Sequence, residues 1–181
     1  MKRIDLEPTE ILRTSRLVLR TWTIEDSALG FEIWGDPNVM KYVDSGEPQN
    51  IEQVQRSIEA RIKHQEKFGY QHWAVVEIES NCIIGACGFN STENPDEVEM
   101  VFHFNKKSWG KGFASEAAEA CLDFIFSNFN INKVIAGCHP DNQASIKVLT
   151  KLGFSFIGNK WFADTKREEP CFELARSRNH L

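Results

Sequence analysis

The stretch Val98-Glu99-Met100-Val101-Phe102-His103-Phe104, followed after four residues by Trp109-Gly110-Lys111-Gly112-Phe113-Ala114-Ser115-Glu116-Ala117, joins a β-rich run to a helix through a turn carrying two glycines. A strand, a glycine-bearing turn and a helix N-terminus in that order make an anion site. Glycine lets the backbone approach a ligand closely, and the free N–H groups and positive dipole end of the helix point at it. The same G-x-G also suits a tightly packed helix start that binds nothing. A Walker loop needs G-K-[ST] with an upstream glycine, and a dinucleotide fingerprint needs G-x-G-x-x-G after the first strand of a βαβ unit. Neither pattern is present.

Upstream, Trp73 to Ile78, Cys82 to Phe89 and Val98 to Phe104 are β-rich runs parted by Ser80-Asn81 and the polar Asn90 to Glu97, which predicts an antiparallel meander. Ile51, Val54, Ile58 and Ile62 recur at helical spacing and predict a helix from Ile51 to Phe68, stopped by Gly69. Leu17 to Trp22 reads as the first strand. Thr23 and Asp26 stand in capping-box-like spacing before a helix through Ala28, Leu29, Ile33 and Trp34, broken by Asp36-Pro37-Asn38 and followed by a polar loop from Ser45 to Asn50. Downstream of the glycine turn come a long helix (Ala114, Ala117, Ala118, Cys121, Leu122, Ile125) and a strand from Val134 to Cys138. A helix from about Asn142 to Leu152 ends at Gly153, and strands follow at Phe154 to Ile157 and Phe172 to Leu174. The order β-α-α-β-β-β-α-β-α-β-β has no repeat or linker, so residues 1–181 are expected to form a single domain of the α/β (α+β) class.

The chain has 181 residues, 41% hydrophobic and 26% charged, the make-up of a globular domain. At this length about 70% of the unfolded surface is buried, enough for a core and an interior cleft. The net charge of −5 and the lack of a long basic run argue against direct nucleic-acid binding. The densest basic cluster, Lys106, Lys107 and Lys111, flanks the glycine turn. Five cysteines, odd in number and without a C-x-x-C pair, point to a reducing cytoplasm. With no membrane-length apolar run and no signal-peptide core, a soluble cytoplasmic protein without membrane contact is expected.

Trp109 to Ala117 resembles the W-G-K-G-Y-A-T-E-A segment of the GNAT superfamily of N-acetyltransferases, in its RimJ/RimL branch of ribosomal-protein N-terminal acetyltransferases, with Phe113 for Tyr and Ser115 for Thr. His139-Pro140-Asp141-Asn142-Gln143-Ala144-Ser145, leading to Lys151-Leu152-Gly153-Phe154, is similar to that branch's N-x-x-S helix start and closing K-L-G-F. Thr14 to Arg20 is similar to its T-x-R-L-x-L-R opening. Two departures stand out. Glu99-Met100-Val101-Phe102 replaces the common E-I-G-Y, so that Val101 bears on the depth of the acceptor cleft, and Lys106 replaces a usual proline.

The resemblance implies a GNAT fold: a mostly antiparallel mixed sheet of about seven strands, flanking helices, and a V-shaped cleft for acetyl-CoA, the cosubstrate. Pantetheine would run along Phe102, His103 and Phe104. Pyrophosphate would sit on the segment Trp109, Gly110, Lys111, Gly112, Phe113, Ala114 and Ser115, with Lys107 or Lys111 either at its rim or simply solvated. Asn142 would lie near the pantetheine or cap the helix, or both. Ser145 corresponds to the family serine that protonates the departing thiolate, or else serves the first helical turn. Glu99 is the candidate base, or an exposed strand residue paired with a lysine; His72 and His103 are alternative bases or structural. No metal is expected. The acceptor would be a protein N-terminal α-amine, possible partners being ribosomal-protein N-termini. The alternatives are a small amine such as an aminoglycoside, polyamine or amino acid, in a cleft rimmed by Asp44, Glu47, Glu93, Asp96, Glu97 and Glu99, or a non-catalytic acyl-CoA-binding module. A homodimer is compatible with all three.

Overall fold

A computed structural model of the chain describes residues 8–43, 46–162 and 166–176. Eight strands form one mixed sheet: β1 (Glu10–Arg13), β2 (Leu17–Arg20), β3 (His72–Glu77), β4 (Cys82–Ser91), β5 (Glu97–Phe104), β6 (Lys133–Gly137), β7 (Ser155–Phe162) and β8 (Arg167–Ala175). Their order is β1-β2-β3-β4-β5-β6-β8-β7, and every neighbouring pair is antiparallel except β5 and β6. The helices are α1 (Ser27–Trp34), α2 (Pro37–Met40), α3 (Ile51–Phe68), α4 (Phe113–Asn128) and α5 (Gln143–Lys151).

The expected seven strands become eight through β1, where a register shift between Glu10 and Leu12 removes the alternation by which a strand is recognised. The last strand begins at Arg167 rather than Phe172, because pairing to β7 carries the poorly β-forming Glu168-Glu169-Pro170, before β6 joins on the other side at Cys171. Asp36-Pro37-Asn38 ends α1 as expected, but it also starts α2. The Asp36 carboxylate accepts from the Asn38 N–H at 2.8 Å, and proline suits a first helical position.

Helices cover both faces, which is why β3 and β4 read as near-continuous apolar runs. On one face α4 presents Ala117, Ala118, Cys121 and Ile125 to Trp73, Val75, Phe89 and Met100, its small residues letting it lie close to the sheet. On the other, Ile33, Trp34, Val54 and Ile58 from α1 and α3 pack on Ala74, Val76 and Ala86. Cys87, Cys121, Cys138 and Cys171 are buried as free thiols, whereas Cys82 is exposed. Among the described residues no helix is long and apolar enough to cross a membrane.

Two local features position the site. The parallel pairing of β5 with β6 covers only Glu97, Val98 and Glu99 opposite Lys133, Val134 and Ile135. The closed end of that seam is riveted by Lys133, whose Nζ lies 2.9 Å from Glu97 and 3.6 Å from Glu173 on β8. Beyond Glu99 the strands part. The second feature is Glu116, in the first turn of α4, whose carboxylate turns away from its own helix toward the loop between β1 and β2. It accepts from the Thr14 hydroxyl at 2.6 Å, the Arg16 N–H at 3.1 Å and the Arg16 Nε at 2.7 Å.

Burial opposes the ionisation of Glu116, but the hydrogen bonds from Thr14 and Arg16 more than offset it and hold the carboxyl below its ordinary range. A carboxylate with a depressed folded value stabilises fully above its unfolded value, about 4.3, and loses that contribution as pH falls through the folded one. Glu116→Gln is expected to lower stability at neutral pH by about 1.5–3 kcal/mol in urea denaturation. The gap to the parent should narrow below about pH 4; an undiminished gap in acid would show that the charge is not what holds this loop.

Candidate functional site

Between β5 and α4 the backbone passes through left-handed φ values at Gly110 (76°) and Gly112 (81°). A side chain at Gly110 would meet nothing within 4 Å, and one at Gly112 only the Arg16 guanidinium at 3.6 Å. Glycine is therefore required here by backbone conformation and not by crowding. The carbonyl groups of the turn are tied back by side chains: Trp109 Nε1 donates to the Phe104 carbonyl at 2.8 Å, and Arg16 Nη1 to that of Lys111 at 3.0 Å. No side chain caps α4, whose N-cap is Gly112. The first N–H groups of that helix are left for a ligand.

This turn borders a cavity of about 490 Å³ that runs past Phe102 and Phe104 to the start of α5. A second cavity, about 250 Å³, lies across the gap between β5 and β6, under α1 and α3. Tyr42, Val43, Phe102, His103, Asn142 and Ser145 line both, so the two form one cleft passing through the parted strands. Of the residues expected from sequence to form the site, Glu99 lines the second cavity and all the others except Lys111 line the first. Lys107 and Lys111 are exposed beside it.

Asn142 is the N-cap of α5, its Oδ1 accepting from the Ser145 N–H at 3.1 Å. With the cap supplied by Asn142, the Ser145 hydroxyl makes no hydrogen bond among the described residues and sits where the cavities join. Glu99 accepts from Asn90 Nδ2 on the neighbouring strand at 3.2 Å. His103 Nδ1 accepts from the Trp34 indole at 3.1 Å, which places the ring proton on Nε2. Burial, and then the Arg61 charge, bring the pKa of His103 down to about 3. His72 is likewise pushed well below its ordinary value, by burial first and then by Arg61 and His103. Two weakly basic imidazoles, one with its lone pair engaged, make poor proton acceptors. Burial raises the Cys138 thiol to about 11, with Glu169 and Cys171 adding to the effect, so it is protonated and not nucleophilic.

Of the acidic rim expected around the acceptor, only Glu99 lines the cavity. Glu97 is committed to Lys133, Glu93 and Asp96 belong to the turn before β5, Glu47 is exposed, and Asp44 lies outside the described residues. The lining residues that escaped sequence reasoning include Trp34, Tyr42, Arg61, Asn90 and Glu169. Arg61 carried a signal. It stands seven residues after Val54 and three after Ile58, a cation on the buried stripe of α3, where its guanidinium stacks 4.2 Å above Trp34. Glu169, buried on β8 and bonded to Arg167 Nε at 2.7 Å, carried none.

Residues 16–155 match the description of an acetyltransferase (GNAT) domain. The uncharacterized N-acetyltransferase p20 of Bacillus licheniformis is 32% identical over 150 residues, covering 82% of this chain and 84% of that protein. An acetyltransferase of the GNAT family from Bacillus anthracis superimposes with a TM-score of 0.78 at 25% identity, covering 90% of this chain and 96% of that one. RimL, a ribosomal L7/L12 α-N-protein acetyltransferase in complex with coenzyme A, shares the fold with a TM-score of 0.79 at 18% identity, covering 92% and 98%.

The two imidazoles, His72 buried and His103 partly so, set a pH dependence. Their folded values lie below the unfolded value of about 6.5, so the unfolded state binds more protons in mild acid, and stability falls as pH drops below about 6.5. Each imidazole is expected to add a slope approaching about 1.4 kcal/mol per pH unit. His103→Phe should lower the slope of denaturation stability against pH, near pH 5–6, by about one proton's worth. An unchanged slope would show that His103 is charged in the folded protein.

Proposed function

The chain belongs to the GNAT acetyltransferase family, and we propose that it transfers the acetyl group of acetyl-CoA directly to a protein N-terminal α-amine, of the kind carried by ribosomal proteins. The observation that carries this reading is the single cleft in which an uncapped helix end and an open strand edge meet a second, polar cavity at Ser145. The amides from Gly110 to Ser115 suit a pyrophosphate. The edge of β5 from Met100 to Phe104, beyond its pairing with β6, suits the amide groups of a pantetheine arm.

In this arrangement the amine, entering from the smaller cavity, attacks the thioester carbon, and the C–S bond breaks as the amide forms. Ser145 Oγ–H gives its proton to the departing sulfur and regains one from water, while Glu99, oriented by Asn90, takes the amine's proton directly or through water and returns it to solvent. Holding the two reactants in line contributes on the order of 7–11 kcal/mol, so no acyl-enzyme is needed. The protonated Cys138 agrees with that.

The weakness of the two imidazoles as bases favours an α-amine. At neutral pH an α-amine is roughly 10–15% unprotonated, whereas a lysine amine is unprotonated to under about 0.1%. The fold shared with RimL supports a protein acceptor. A small amine is the second reading, favoured by the modest volume of the acceptor cavity, about 250 Å³.

Acetyl-CoA at a hundredfold excess over its dissociation constant is expected to raise stability by about 2.7 kcal/mol, read as a thermal shift. Gly112→Asp should remove that shift, since it sets a carboxylate against the phosphate-facing amides and strains a left-handed position. A melting curve unmoved by acetyl-CoA in the parent protein would overturn the cosubstrate assignment.

Ser145→Ala should lower kcat about 10²-fold with little change in stability, and Asn142→Ala should cost about 1 kcal/mol as the loss of a helix cap. Full turnover in Ser145→Ala would remove the serine from the chemistry.

A further inference from the structure

A buried side chain of the acceptor cavity has no hydrogen-bond partner among the described residues. His72 opens β3, is only 9% exposed, and lines the cavity, yet neither ring nitrogen makes a hydrogen bond among the described residues. Its place follows from the sheet register: His72 lies opposite Gly88 on β4, and Gly88 opposite Val101 on β5. Gly88 is pressed against the start of β3, where a Cβ would strike the Gln71 carbonyl oxygen, and the imidazole lines the same cavity as Val101. A buried polar group without a partner is costly, and native proteins rarely leave one so.

We propose that His72 selects the acceptor by hydrogen-bonding an uncharged polar group, a hydroxyl or a carboxamide, carried on the residue whose α-amine is acetylated. This rests on the reading of the smaller cavity as the place where that residue enters. A neutral imidazole offers one N–H and one lone pair. Burial and the neighbouring Arg61 and His103 keep the ring in that form, the nearby Asn90 amide acting more weakly in the opposite direction. A hydroxyl or carboxamide can both donate and accept, and so matches the ring. A carboxylate only accepts and an ammonium only donates, so each suits a single tautomer of the ring, whereas a hydroxyl or carboxamide pairs with whichever nitrogen faces it; the ammonium would also meet the Arg61 charge. Alanine in the same place would leave both nitrogens bare.

Two peptides identical except for serine or alanine at the N-terminus test this, with kcat/KM measured at saturating acetyl-CoA. The parent enzyme is expected to favour the serine peptide on the order of 10- to 100-fold. His72→Phe should bring the ratio to about one, and His72→Gln, which again offers a donor and an acceptor, should restore most of it. The thermal shift with acetyl-CoA reports whether each variant is folded, and the parent ratio stands as a test in its own right. A parent ratio near one overturns the proposal. So does a His72→Phe enzyme that is slower on both peptides but keeps the ratio, the signature of a base or of a structural role. If no peptide is acetylated, ethanolamine against propylamine replaces the pair. A hydroxyl preference lost in His72→Phe would then retain the role of His72 while the N-terminal acceptor falls, and its absence would overturn both.

Discussion

The carboxylate of Glu116 is the contact on which the site depends. An acidic residue in a first helical turn ordinarily serves its own helix, by capping it or by balancing the dipole. Here it is drawn away by Thr14 and Arg16, and Arg16 also holds the Lys111 carbonyl and lies 4.6 Å over the Phe113 ring. One ion pair thereby fastens the chain's first loop to its glycine turn, a separation of about a hundred residues, and leaves the helix end uncapped. The T-x-R-L opening and the G-F-A-S-E segment, remote in sequence, are two halves of a single clamp.

On the other side of the gap the two imidazoles are held as weak bases. Trp34 fixes the His103 tautomer, Arg61 stacks on the same indole, and that charge together with burial keeps both imidazoles neutral. Such a site does little to deprotonate its acceptor, so the main resource left for rate is alignment of the reactants. The same neutrality makes the cavity discriminating, because unmatched hydrogen-bonding groups in a buried pocket penalise the wrong occupant more than contacts reward the right one.

The fold and the glycine turn were legible because their signals are local: periodicity in α3 and α4, a meander parted by polar turns, and left-handed positions that glycine announces. Asn142 and Ser145 could be placed at a helix start, but which of them caps the helix depends on a side-chain geometry that spacing alone does not contain. The acceptor cavity was largely illegible. Its walls come from α1, α3, β3, β4, β5, β6, α5 and β8, and residues such as Glu169 and Asn90 look, along the chain, like ordinary polar positions in strands. Only tertiary pairing brings them together. Glu93, Asp96 and Glu97 misled for the same reason: proximity in sequence to Glu99 placed them at the wrong end of the strand.

The three residue pairs joining β5 to β6 have a mechanical meaning. The sheet is two half-sheets, one of five strands and one of three, sharing a short seam pinned at one end by Lys133. Past that pin the backbone has no neighbour to pair with, and α4 and α5 packed on one face carry the connection instead. If acetyl-CoA lies along the β5 edge as proposed, it takes the place of the absent strand pairing, and the molecule that is consumed would also act as a removable splint. On that reading, release of the spent carrier would leave the two half-sheets joined by the short seam and the helices alone, the least braced state of the cycle.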